Sequence, residues 1–168
     1  MKRIGVLILA TGAAFFAQAA QAGWTTAKRL TWTDGGSFSP QMALDSGGHM
    51  HLAWYDNSPG NSEIYYKRST DGGTTWTAAK RLTWSSSESR SPAISVDPSD
   101  QLLVVWTEES LYGSELYGRR STDGGDTWTA RQRLTWAGNT SEQPDIEVDP
   151  LGLIHLVWQD STGEIYYS

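Results

Sequence analysis

The chain of 168 residues contains no cysteine, which excludes disulfides, thiolate chemistry and cysteine-ligated metals in one step. Packing alone must hold it together. Positive charge is also short: 13 Lys and Arg stand against 19 Asp and Glu, a formal charge of -6. With no basic stripe to meet phosphates, nucleic acid is set aside as a partner, and so is an anionic membrane surface. Only three histidines occur. His49 and His51 sit around the start of one strand, His155 lies in another repeat, and no His-x-x-x-His spacing exists. The sequence therefore offers no metal site and implies no cofactor. No glycine-rich loop leads into a helix, which removes a phosphate cradle, and helical periodicity is missing after residue 22.

One apolar stretch stands apart. Lys2-Arg3 precede an apolar run from Ile4 to Ala10 and a small-residue stretch through Phe15-Phe16, ending in Ala17-Gln18-Ala19 and Ala20-Gln21-Ala22. That is the basic start, apolar middle and Ala-x-Ala exit of a secretory signal. For a retained membrane helix the run is too short, and Gly5, Thr11, Gly12 and Gln18 interrupt it. Residues 1–22 are expected to be a signal peptide and residues 23–168 the mature chain. It would be secreted or periplasmic, with no membrane insertion after cleavage. Losing Lys2 and Arg3 leaves 11 basic against 19 acidic residues, a mature charge of about -8.

What the chain has is tryptophan, nine in all, and a repeat. Trp24-Thr25, Trp76-Thr77 and Trp128-Thr129 recur at intervals of 52, as do Pro40, Pro92 and Pro144, and Trp54, Trp106 and Trp158. Residues 24–75 and 76–127 align without gaps at 24 identities in 52. Within a unit, Pro92–Asp97 alternates, Leu102–Trp106 is continuously apolar, Glu115–Arg120 follows, and Trp128–Thr135 closes the unit. These are four short strands separated by turn residues. A repeated four-stranded antiparallel unit predicts an all-β fold of β-propeller blades, three units of 52 residues per chain. Complete blades are expected at about 40–84 and 92–136, with a split blade from 144–168 and 24–32. Residues 107–114 and 55–62 are the expected long loops. Three blades are too few for a ring, so a homodimer closing a six-bladed ring is one expectation. A fragment of a longer propeller is the other.

The third turn of each unit carries the most specific signal: Ser69-Thr70-Asp71-Gly72-Gly73-Thr74-Thr75-Trp76 and Ser121-Thr122-Asp123-Gly124-Gly125-Asp126-Thr127-Trp128. It resembles the Asp-box, or bacterial neuraminidase repeat, of sialidase-like propellers. The resemblance implies a structural hairpin built on Ser69, Asp71, Gly73 and Trp76, and on Ser121, Asp123, Gly125 and Trp128. The aspartates would accept from their own turn, the glycines take positive φ and the tryptophans pack into the sheet.

It implies less about catalysis. Sialidases hold their substrate's carboxylate with three arginines, and use a Tyr-Glu pair and an aspartate. Only Arg90, before Ser91-Pro92, matches one triad position in part. Asp56, Glu108 and Asp160, which follow the second-strand tryptophans, are the catalytic candidates among carboxylates, as an acidic ring or as strand ends in solvent. Arg29, Arg81 and Arg133 are expected to cover sheet surface. Near-copies favour repeated binding sites over one asymmetric catalytic site. Trp32, Trp84 and Trp136 are the expected ligand-binding aromatics, with packing wedges as the competing role. The leading expectation is therefore a secreted, non-catalytic propeller binding a glycan or another surface ligand. The alternatives are a fragment or divergent member of a sialidase-type glycoside hydrolase, and a structural interaction module.

Overall fold

The computed structural model describes residue 23 and residues 25–110, 113–136 and 140–168. The expected signal peptide and Trp24 lie outside them. The first sheet comprises β1 (Ser37–Leu44), β2 (Met50–Asp56), β3 (Glu63–Ser69) and β4 (Lys80–Arg81), in that order. The second repeats it with β5 (Ser89–Val96), β6 (Leu102–Ser110), β7 (Gly113–Ser121) and β8 (Gln132–Arg133). The third has three strands, β9 (Ser141–Val148), β10 (Ile154–Asp160) and β11 (Ile165–Tyr167). All pairings are antiparallel.

The period of 52 is visible in the hydrogen bonds. Asp97 Oδ1 accepts from the amides of Ser99 and Gln101, and Asp149 Oδ1 from those of Leu151 and Leu153. A side chain that caps its own tight turn is why Asp recurs there. Each first strand is interrupted just before its proline, where Ser39, Ser91 and Gln143 all take φ near +50°. The bulge absorbs the ladder position that proline cannot fill.

Alternation along the strands builds two cores. Ala53, Ile64, Tyr66 and Leu82 meet Ile94, Leu102, Val104 and Trp106 between the first and second sheets. Ala93, Leu103, Val105 and Leu116 meet Ile146, Val148 and Leu156 between the second and third. The second sheet is thus buried on both faces, which explains the continuous apolar run of β6.

The expected β-propeller ring is not what the chain forms. Its three antiparallel sheets, of four, four and three strands, stand in a row that does not close. Met42 and Leu44 remain exposed at one end, Ile165 and Tyr167 at the other. The row is all-β, but closure needs each outer face to meet another sheet, and within one chain these two do not meet. Two local expectations also change. The expected loop at 107–114 is mostly ladder, with β6 and β7 paired from Leu102↔Ser121 to Ser110↔Gly113. The expected fourth strands shrink to the residue pairs of β4 and β8, and residues 25–32 form no strand. A fourth strand needs a third strand beside it, and no such strand precedes residue 25 among the described residues.

Candidate functional site

The two Ser-x-Asp-x-Gly-x-x-Trp turns are closed constructions. Asp71 Oδ2 accepts from Thr75 Oγ1 at 2.6 Å, and Oδ1 from the Thr75 amide at 2.8 Å and Ser69 Oγ at 2.9 Å. Ser69 Oγ accepts from Gly73 N, and Trp76 Nε1 donates to the Gly73 carbonyl. Ser121, Asp123, Gly125, Thr127 and Trp128 repeat the set. The Thr75 and Thr127 donors, seconded by Ser69 and Ser121, hold both aspartates down to about 2. Their oxygens are already engaged inside the turn.

The three tryptophans of the Arg-Leu-Thr-Trp segments behave differently. Trp32, Trp84 and Trp136 are 69%, 65% and 71% exposed. A packing wedge would be buried. Beside each indole lies the arginine three residues earlier: Arg29, Arg81 and Arg133, at 5.7, 5.8 and 5.9 Å from the ring centroid. Each arginine also donates from Nε to the carbonyl between them, on Thr31, Thr83 and Thr135, at 2.6–2.7 Å. The guanidinium stiffens the segment and leaves the indole in solvent. Trp84 has a second cation, Arg119, at 5.8 Å. Arg119 Nε is buried with no hydrogen-bond partner.

The carboxylate candidates are not in solvent. Asp56, Glu108 and Asp160 are all buried, each in its second strand opposite a first-strand serine, Ser37, Ser89 and Ser141, and Asp56 and Asp160 end their strands. Burial pushes the Asp56 carboxyl upward, but hydrogen bonds from Ser37, Ser58 and Thr33 outweigh it and leave the group below its usual range. Glu108 pairs with Arg131 and accepts from Ser85 and Trp106. Asp160 Oδ1 accepts from Thr162 and Glu164 amides. Asp56 and Asp160 tie loops to strand ends, and Glu108 ties the Ser85 loop and Arg131 to the middle of its hairpin.

Arg90 lies on the same rim, bridging two other carboxylates. Its Nη2 is 3.2 Å from Glu88, its Nη1 is 3.2 Å from Glu109, and Nε donates to Ser62 Oγ. Glu88 is lowered, first by the Ser62 contact and further by Arg90. Glu88 and Glu109 carry no repeated signal in the sequence, so position in the repeat does not reveal them. Nor does it reveal that His49 and His51 converge: both reach Asp45 Oδ2, at 2.7 and 3.3 Å. Burial lowers the His51 pKa, and its other nitrogen meets the Tyr66 hydroxyl. Among the described residues no group of three or more His, Asp or Glu side chains is arranged to hold a metal ion, and no helix is long and apolar enough to cross a membrane.

No family model matches the chain, and no curated protein matches it. Solved structures do resemble it. A Hadza microbial sialidase aligns at TM-score 0.61 and 16% identity, covering 78% of this chain and 34% of the other. An endo-arabinase from Bacteroides thetaiotaomicron aligns at 0.61 and 15%, covering 84% and 58%. An α-L-arabinanase from Penicillium chrysogenum, complexed with arabinobiose, aligns at 0.56 and 17%, covering 79% and 44%. The chain spans about a third of the sialidase and little more than half of the endo-arabinase. At these identities the likeness is one of fold, and the fold is one that recurs among carbohydrate-active enzymes.

Proposed function

We propose that the chain acts on carbohydrate as a divergent member, or a part, of a sialidase-type glycoside hydrolase, with the glycan held at the first-strand rim around Arg90. The likeness to sialidase and arabinanase folds supports the class. The observation that carries the site is the guanidinium of Arg90 between Glu88 and Glu109. Whatever its nucleophile, such a hydrolase needs a carboxyl group that can carry a proton to the leaving oxygen as general acid. The Ser62 contact does most to lower Glu88, and a substrate carboxylate drawing Arg90 away would remove the other influence that disfavours its proton, moving it towards a general acid. The test is release of chromophore from aryl α-sialosides and aryl α-L-arabinofuranosides by the purified protein. Turnover lost at least 100-fold in Arg90→Ala supports the site; no release from either between pH 4 and pH 8 overturns the reading.

A second reading, glycan binding without turnover, is favoured by the exposed tryptophans. A sugar stacked on Trp84 would place hydroxyls or an acid group beside Arg119, whose Nε lacks a partner. Calorimetry against a glycan panel tests it. Trp84→Ala should weaken binding roughly 10-fold, about 1.4 kcal/mol, and an unchanged affinity removes Trp84 from the site. We further propose export: amino-terminal sequencing of the mature protein should begin at Gly23, and an intact Met1 would refute it.

A further inference from the structure

We infer that the outer face and open edge of the third sheet dock a second copy of this chain, through its Lys28–Trp32 segment and the outer face of its first sheet. Two completed junctions show what such an edge binds. Along the first, Leu82 N donates to Ile64 O at 2.7 Å, Ile64 N to Thr83 Oγ1 at 2.8 Å, and Arg81 Nη2 meets buried Glu63 at 2.7 Å. Along the second, Leu134 N donates to Leu116 O at 2.8 Å, Leu116 N to Thr135 Oγ1 at 3.0 Å, and Arg133 Nη2 meets Glu115 at 2.6 Å. The third sheet has Glu164 and Ile165 at the matching positions. Among the described residues no strand lies outside β11, and Ile165 and Tyr167 are 71% and 67% exposed, where Ile64 and Tyr66 are buried.

The complementary piece sits at the other end of the row. Lys28-Arg29-Leu30-Thr31-Trp32 is the fourth-strand segment of the repeat, and among the described residues no third strand lies beside it. It already has the local form of its equivalents, with Arg29 Nε on the Thr31 carbonyl and the guanidinium beside Trp32. It is also seated against its own following sheet: Lys67 Nζ donates to Leu30 O at 2.7 Å, and Lys28 Nζ reaches the Thr74 carbonyl as Lys80 Nζ reaches Gly125 and Asp126. Arg29 has no carboxylate partner, and Glu164 faces no arginine, among the described residues. The charges are therefore complementary, and so are the faces. Met42 and Leu44 of the first sheet correspond to Ile94 and Val96, which pack on a preceding sheet, and Val157, Ile165 and Tyr167 correspond to the surface that receives them.

In the docked pair, Arg29 of the second copy meets Glu164, Leu30 covers Ile165, and Thr31 Oγ1 accepts from Ile165 N. Tyr167, already tied to His155 at 2.8 Å as Tyr66 is to His51 at 2.7 Å, reaches the Gly72 carbonyl of the second copy as Tyr66 reaches Gly124. The contact is head to tail, joining different surfaces, and two copies that make it reciprocally leave no such surface free to add a third.

Light scattering behind size exclusion on the purified protein tests this. The expected mass is twice that of one chain, falling to one chain in Arg29→Glu and in Glu164→Arg. Neither residue bonds the other within a chain, so circular dichroism of each variant should stay that of the wild type. Arg29→Glu combined with Glu164→Arg in one chain restores the opposite-charge pair and should restore the double mass. A wild-type mass of one chain at micromolar concentration overturns the proposal. So does a double mass indifferent to both single reversals, which would place the contact elsewhere.

Discussion

At the scale of single residues, the molecule spends its charges on turns and edges. Glu63 is fully buried, with Arg81, Asn61 and the Ser85 amide on one oxygen. Removing the guanidinium strands that carboxylate, so Arg81→Ala should destabilise by about 3 kcal/mol, read by urea unfolding. Arg133→Ala should cost less, because Glu115 is partly exposed. Asp71 and Asp123, held at about 2 against an ordinary 3.8, give a pH signature. A depressed pKa means the folded state binds fewer protons than the unfolded one. The stability they contribute is complete above about pH 4 and is lost as pH falls towards 2. Replacing both by Asn should flatten the melting temperature over that interval, and an unchanged acid slope would refute the assignment.

At the scale of elements, the glycine turns separate into two kinds. Gly72 has φ +66° and open space where a Cβ would stand, so Gly72→Ala meets only the left-handed backbone penalty, about 1–2 kcal/mol. Gly125 has φ +91°, and a Cβ there would lie 2.2 Å from the Tyr66 hydroxyl. Gly125→Ala should therefore cost a further ~1–3 kcal/mol from overpacking, measured by the same unfolding curves. The equivalence of Gly73 and Gly125 in the sequence hides this, because the difference lies in the neighbouring sheet: Tyr66 crosses to the turn of the next one. The strands themselves are legible from alternation and turn residues, and the hydrogen bonds of the Ser69–Trp76 turn recur in the Ser121–Trp128 turn. The long β6–β7 hairpin is not legible, because Glu108-Glu109-Ser110 reads as a solvated loop. The ladder continues there since Glu108 finds Arg131 and Glu109 finds Arg90.

At the scale of the whole molecule, the row has a protected middle and two less protected ends. Amides of β5 and β6, covered on both faces, should exchange slowest with deuterium, and those of β11 fastest. Adding protein to raise its concentration should slow β11 and Leu30 together if copies join, and leave them unchanged if they do not. The repeat of 52 makes the sheets legible but not their closure. Periodicity encodes how each unit meets the next and says nothing of what meets the first and the last. The site is legible only in part for a related reason. Arg90 and the tryptophans stand out by position, whereas Glu88 and Glu109 matter through the pocket of charge that loops bring to Arg90.

Five of the indoles mark two optical extremes, with Trp76, Trp128 and Trp158 half-buried between them. Trp54 and Trp106 are shut inside the sheets, while Trp32, Trp84 and Trp136 look out into water. Emission from the first group should be blue-shifted and untouched by iodide, that from the second red-shifted and readily quenched. A sugar laid on the outer group would shield it from the quencher, and so would a neighbouring protein on Trp32 alone. The protein thus carries its own reporter, able to tell a bound glycan from a bound copy without a label.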